Sequence, residues 1–241
     1  MAATGLHSAM VLAAGYGQRM RPLTDDKPKP LVPLAGRPLL DHVLDRLSVA
    51  GVTRAVVNVH YMPEAIEAHL AKRSRPEILI SDERRQILDT GGAVQNALAL
   101  LGAAPFFVHN SDSVWIERNG NTLRRMIEAW DDDAMDSLLL LAPAATSTGY
   151  AGRGDYALDG EGRPHRRRNG EIVPHVFTGV SINHPRLFSN APEGPFSILR
   201  LWDEAERAKR LAAIQLDGLW MHIGTPQALA EAEERLSGRE N

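Results

Sequence analysis

The chain of 241 residues contains no cysteine. Disulfides, zinc–thiolate sites and cysteine nucleophiles are therefore excluded, and a reducing cytoplasm fits. Long apolar runs are lacking too. No stretch approaches the ~18 apolar residues of a membrane span, so no membrane partner is expected. The opening "MAATGLHSAMVLAAG" has no basic segment followed by a long apolar core, so no secretory leader is expected. Nor is there an excess of positive charge. The 27 Lys and Arg residues are outnumbered by 30 Asp and Glu, for a net charge of -3. A general nucleic-acid binder needs phosphate-neutralising charge across a whole face, so none is expected here. What the chain does have is material for a core, with 44% hydrophobic residues.

Hydrophobic periodicity divides the first 142 residues into alternating strands and helices. Strands are expected at 8–12 (SAMVL), 54–60, 77–81, 105–112 (PFFVHNSD) and 136–142. Helices are expected at 38–50, from Pro63 to about residue 72, at 92–102 and at 121–130. This alternation predicts an α/β fold: a mainly parallel sheet with helices on both faces. The pattern then changes. Residues 143–175 are rich in Gly, Pro and Arg, followed by a strand at 176–183, a helix at 197–210, a strand at 218–225 and a closing helix at 226–238. With no linker and no repeat, one domain over 1–241 is expected, residues 143–241 adding a β region to the half formed by 1–142.

The most unusual stretch is "LAAGYGQRMRPLTDDKPKPLVP" at 12–33. Two glycines follow a strand, and Arg19, Arg21, Lys27 and Lys29 lie among four prolines. A dinucleotide fingerprint fails because Met20 stands where the third glycine belongs, and no G-x-x-x-x-G-K-[ST] phosphate loop is present. The prolines predict an extended loop with no helix directly behind it. Such a loop holds phosphate through backbone N–H groups, which glycine lets approach closely, and through cationic side chains.

This stretch resembles the signature of the sugar-1-phosphate nucleotidylyltransferases, L-x-x-G-x-G-T-R-[ML]-x-P-L-T followed by K-P-[ML]-[LV]-P. Gln18 stands where that family usually has Thr. Within the family the likeness is strongest to uridylyltransferases acting on N-acetylmuramic acid 1-phosphate. It extends through "LDTGGAVQNAL", "GRGDYAL", "FTGVSINHPRLF" and "WMHIGTPQALAEAE". Guanylyltransferases of mannose or heptose 1-phosphate are the alternative within the family, and a non-catalytic sugar-nucleotide sensor is the alternative outside it. The resemblance implies a Rossmann-like core. It also implies a reaction between a nucleoside triphosphate and a sugar 1-phosphate, with pyrophosphate released and magnesium as cofactor, manganese being the alternative metal.

The resemblance assigns Arg19 and Lys29 to the phosphates, Arg19 as a forked clamp and Lys29 as a point charge. It assigns Asp112, at the end of an expected strand, to the metal; a turn-capping aspartate is the other reading. The family's second metal-binding aspartate falls on His222, and imidazole is a poorer magnesium ligand than carboxylate. Metal ligation, a phosphate contact and simple packing are all open for His222. The nucleotide-binding set comprises Leu12, Ala13, Ala14, Gly15, Gly17 and Arg19, with Glu83, Gln86, Gly91 and Gly92 as base-reading candidates. An amide suits uracil and a carboxylate suits guanine, so the base stays open on chemistry. For the sugar, Gly154, Asp155, Thr178 and Gly179 match the family's sugar-facing segments. The run of Arg166, Arg167 and Arg168 either draws a sugar-borne anion or forms a solvated turn.

Overall fold

The computed structural model describes residues 6–238. The reading of no secretory leader rests on residues 1–15, of which 1–5 lie outside the described part. The elements in chain order begin with β1 (Ser8–Leu12), β2 (Pro33–Leu34), β3 (Arg37–Pro38), α1 (Leu39–Ala50), β4 (Arg54–Val59) and α2 (Pro63–Leu70). Next come β5 (Glu77–Asp82), α3 (Asp89–Leu101), β6 (Phe106–Asn110), β7 (Ser113–Glu117), α4 (Thr122–Ala129) and β8 (Ser137–Pro143). The second half adds β9 (Tyr156–Leu158), β10 (Pro164–Arg166), β11 (His175–Asn183), α5 (Leu199–Arg207), β12 (Leu211–Gln215), β13 (Gly218–His222) and α6 (Pro226–Ser237).

Period-two alternation of side chains explains why both faces of the sheet are covered. On one face Ala9 and Val11 of β1 and Ala55, Val57 and Val59 of β4 pack against Leu40, Val43, Leu44 and Leu47 of α1, Ile66 and Leu70 of α2, and Leu123 and Met126 of α4. On the other face Met10 of β1, Val56 of β4 and Phe106 and Val108 of β6 meet Ala93, Val94 and Ala97 of α3 and Leu201, Trp202 and Ala205 of α5. A third apolar cluster lies under the cation-rich loop. It joins Met20, Val32 and Leu34 to Val114 and Ile116 of β7, Met221 of β13 and Ala232 of α6.

β1, β4, β5 and β6 pair in parallel, as the alternation predicts. Their carboxyl ends share one edge, where open α/β sheets present ligands. β8 is not the neighbour of β6, however. β11 lies between them, antiparallel to both, and β12 extends the sheet beyond β8 in parallel. Local pattern could not reveal that insertion, because β11 arrives from far along the chain. The sequence reading also missed β7, which follows β6 after two residues and pairs antiparallel with β13 in a separate ribbon. That register sets His222 opposite Ser113, beside Asp112.

The expectation of a fully extended proline loop is corrected. Single 3₁₀ turns form at Gln18–Met20 and Lys29–Leu31. Pro30 fits inside the second turn because an N–H early in a helical turn needs no internal partner.

β11 carries an irregularity between Phe177 and Ser181, where its register to β8 shifts. Gly179 sits there with φ +83°, and a Cβ at this position would lie 2.8 Å from the Asn110 side chain. Both the backbone and the space demand glycine. Gly179→Ala is expected to destabilise the fold by about 1–3 kcal/mol. Gly160→Ala, with open space around its Cβ, is expected to stay within about 0.5 kcal/mol of wild type. Denaturant unfolding of both variants checks this, and equal midpoints would refute the account of the bulge.

Candidate active site

β1 ends at Leu12, and the chain turns across the sheet edge. Ala13 donates its N–H to Asn58 Oδ1 at 2.7 Å. Asn58, buried on β4, donates its amide to Glu83 Oε1 at 2.8 Å, and Glu83 Oε2 accepts the Leu88 N–H at 3.0 Å. A buried relay therefore ties the loop after β1 to the loop after β5. Among the described residues, the backbone N–H groups of the next four residues, 14–17, donate to no protein acceptor. A Cβ on Gly15 would meet nothing within 4 Å, whereas one on Gly17 (φ +65°) would lie 2.9 Å from Lys29 Cβ. Gly15 thus keeps space open, and Gly17 lets the Lys29 turn pack close. A run of free N–H groups in a tight loop is an anion-binding concavity.

The four cations of this loop have different fates. Arg21 pairs with Asp25, Lys27 lies near Asp26, and Lys29 Nζ is 2.6 Å from Asp112 Oδ2. Arg19 has no ion-pair or hydrogen-bond partner among the described residues. Residues 14–17 line a cavity of about 590 Å³ together with Arg19, Lys29 and Asp112. Leu12, Ala13 and Glu83 complete the predicted members of that wall.

Asp112 occupies the two-residue turn between β6 and β7. Burial alone would push its pKa up. Hydrogen bonding from His222 and the Lys29 charge beside it outweigh burial and hold the carboxyl well below the usual carboxylate range. His222 Nε2 lies 3.3 Å from the same Asp112 oxygen, and its ring stacks on Trp220. His222 therefore faces Asp112 without lining the cavity. No group of three or more His, Cys, Asp or Glu side chains gathers as a metal cluster among the described residues.

A second cavity, of about 380 Å³, adjoins the first and shares Leu12, Asp89, Thr90 and Asn110 with it. Of the expected sugar contacts, Asp155 lies on this wall. Its Oδ2 accepts the Phe177 N–H at 2.9 Å, and burial raises its pKa. The other three serve the protein itself. A Cβ on Gly154 (φ +77°) would lie 2.0 Å from the Val173 carbonyl oxygen. Thr178 is fully buried and donates its hydroxyl to the Leu140 carbonyl. Gly179 accommodates Asn110, as described above.

Of the base-reading candidates, Glu83 lines the first cavity, and Gln86, Gly91 and Gly92 line neither. Gln86 is exposed. Gly91 and Gly92 open α3, donate their N–H groups to the Phe196 carbonyl, and leave room for Phe196 and Gly194. A Cβ on Gly91 would lie 2.3 Å from the Phe196 ring. Glu83 lines the cavity, but both its carboxylate oxygens are engaged within the relay. Sequence reading missed Asn58, Thr90 and Asn110. Asn110 was signalled only by the polar end of "FFVHNSD"; its side-chain amide has no hydrogen-bond partner among the described residues and borders both cavities.

If Glu83 holds the cleft together, Glu83→Ala strands the Leu88 N–H and the Asn58 amide and costs about 2–4 kcal/mol in stability. Gln86→Ala is expected to change stability by under about 0.5 kcal/mol. Denaturant titration compares the two. A Glu83→Ala protein as stable as wild type but altered in base preference would restore Glu83 as a base reader.

Residues 8–152 match the model of the nucleotidyl transferase family. The chain is 50% identical over 233 residues to "N-acetylmuramate alpha-1-phosphate uridylyltransferase" of Caulobacter vibrioides, covering 95% of this chain and 96% of that protein. It is 34% identical over 230 residues to the Neisseria meningitidis protein of the same name, covering 93% and 96%. Its fold matches a UDP-glucose pyrophosphorylase solved with UDP-glucose, with TM-score 0.79 at 18% identity over 98% of this chain and 100% of that one. The mixed, mostly parallel sheet is thus the Rossmann-like nucleotidyltransferase fold, and the chain belongs to the nucleotidyl transferase family.

Proposed function

We propose that the protein joins UTP to N-acetylmuramic acid 1-phosphate, giving UDP-N-acetylmuramic acid and pyrophosphate, as a cytoplasmic enzyme of cell-wall sugar recycling. The names of the two relatives, alike over most of both chains, support this choice of substrates. The observation that carries the reaction type is the run of free backbone donors at 14–17 beside the unpaired Arg19. Both lie on the wall of a cavity that opens beside a second one. That arrangement suits two anionic substrates meeting at a shared edge.

In the reaction a sugar-phosphate oxygen attacks the α-phosphorus, a new P–O bond forms, and the bond to pyrophosphate breaks. No nucleophilic side chain is needed; the work is alignment and charge neutralisation. The N–H groups of 14–17 receive phosphate oxygens without reorganising, since the Asn58–Glu83 relay already fixes the loop. Arg19 offers its fork to the leaving pyrophosphate. Lys29, held by Asp112, supplies positive charge where the two phosphates meet. Magnesium, when bound, would neutralise phosphate charge as a Lewis acid. The donor set fits such an ion only in company with its substrate. Asp112 offers one carboxylate whose Oδ2 already meets Lys29 and His222, and Mg²⁺ is typically held by one or two carboxylates plus substrate phosphates. His222 would then act by orienting Asp112.

The test is a grid of the four common ribonucleoside triphosphates against N-acetylmuramic acid, N-acetylglucosamine and mannose 1-phosphates, read as pyrophosphate release. UTP with N-acetylmuramic acid 1-phosphate should give the highest kcat/KM. The highest value for GTP with mannose 1-phosphate would contradict the assignment, and no release from any pair would indicate a binding protein. Arg19→Ala is expected to lower kcat/KM about 100-fold, equivalent to ~3 kcal/mol of transition-state stabilisation. Its thermal midpoint should stay close to wild type, because the side chain is exposed and makes no hydrogen bond or ion pair among the described residues. Near-normal turnover in Arg19→Ala would remove the clamp from the mechanism.

A further inference from the structure

The proposed sugar substrate carries two anions: the phosphate on its anomeric carbon and the carboxylate of its lactyl ether. The phosphate must lie in the first cavity, beside Lys29 and Asp112, because the reaction occurs there. The carboxylate then needs its own partner in the adjoining cavity. Two arginines, Arg166 and Arg167, line that cavity. Arg166 is already neutralised by Asp203, with Nε to Oδ1 at 2.5 Å and a terminal nitrogen to Oδ2 at 2.6 Å. Arg168 lies outside the wall. Arg167 is half-buried and forms no ion pair with a carboxylate among the described residues. Its Nε donates to the Gly154 carbonyl at 2.9 Å, which fixes the guanidinium plane and leaves the terminal nitrogens for a ligand.

We infer that Arg167 is the specificity-determining residue that selects a sugar 1-phosphate bearing a carboxylate over a neutral one. The inference rests on the functional reading above. Three further features of the cavity fit such a ligand. Asp155 presents a carboxylate to sugar hydroxyls from the same wall. Phe177 and Trp202, in edge-to-face contact at 4.8 Å, offer an apolar surface to acetamido and lactyl methyl groups. Tyr156 also lines the cavity, is 1% exposed, and has a hydroxyl with no hydrogen-bond partner among the described residues. A fixed guanidinium suits a carboxylate because two parallel N–H donors match its two oxygens. The Val173 backbone packed against Gly154 explains why this position must be glycine, and its carbonyl in turn holds Arg167.

The test compares UTP-dependent product formation from N-acetylmuramic acid 1-phosphate and from N-acetylglucosamine 1-phosphate, which differ by the lactyl group. Wild type, Arg167→Met and Arg167→Lys are measured with each. In Arg167→Met, kcat/KM for the acidic sugar should fall roughly 10- to 100-fold further than for the neutral one, the range for losing a hydrogen bond to a charged group. Arg167→Lys keeps the charge without the fork and should recover part of that discrimination. Equal losses on both sugars would overturn the inference and make Arg167 a structural residue, while leaving the uridylyl-transfer reading intact. A wild type inactive with both sugars would instead overturn the reading itself, so the two failures are distinguishable.

Discussion

A buried carboxylate with no ion pair among the described residues sets the shape of the cleft. Glu83 is 2% exposed, and its two oxygens are satisfied by an amide from Asn58 and a backbone N–H from Leu88. Burying such a group is tolerable only when its acceptors are used. The requirement fixes three segments at once. Asn58 must face Glu83, so its carbonyl is free for Ala13. Ala13 must donate to Asn58, so the chain turns off β1 with its next amides unpaired. Leu88 must donate to Glu83, so α3 begins where Gly91 and Gly92 can meet Phe196. The run of unpaired amides at 14–17 is therefore a consequence of how a polar group was satisfied beneath it.

Charge in the site follows the same economy. Three of the four cations in the loop have acidic neighbours within it or across the turn at Asp112, and Arg19 remains for a ligand. In the adjoining cavity Asp203 takes Arg166 and leaves Arg167. Each cavity thus presents one arginine without an ion pair among the described residues, Arg167 lying in the electrostatic reach of Asp155 on the same wall. The β7–β13 ribbon supports this layout from below. It carries His222 to Asp112, and its apolar side packs under the loop with Met20 and Val32.

Much of this was legible in the sequence. The glycine–cation–proline stretch and the polar strand end singled out Arg19, Lys29 and Asp112, which the fold brings to one cavity wall, because both are local patterns. Asp155 was found the same way. The positions that the fold sets away from the cavities share one cause. A glycine signals that something approaches closely, but not whether that neighbour is a ligand or another part of the chain. At Gly91, Gly92, Gly154 and Gly179 the neighbours are Phe196, Gly194, Val173 and Asn110. Glu83 and Gln86 looked equivalent as base readers, yet one is the buried hub and the other is exposed. The position of β11 between β6 and β8 was hidden for the same reason: long-range pairing leaves no mark on local periodicity. Gln18, where the family usually has Thr, is exposed on the cavity wall with no constraint that explains the change.

The central claim is that the unpartnered amides of residues 14–17 are the phosphate site. Amide-resolved NMR of ¹⁵N-labelled protein, titrated with UTP and magnesium, tests it most directly. The account predicts that the largest chemical-shift changes fall on Ala14, Gly15, Tyr16 and Gly17, with slowed amide exchange there, while Ala13, already bonded to Asn58, keeps its exchange rate. Saturating UTP that leaves those four amides unshifted, with its effects centred elsewhere, would contradict it.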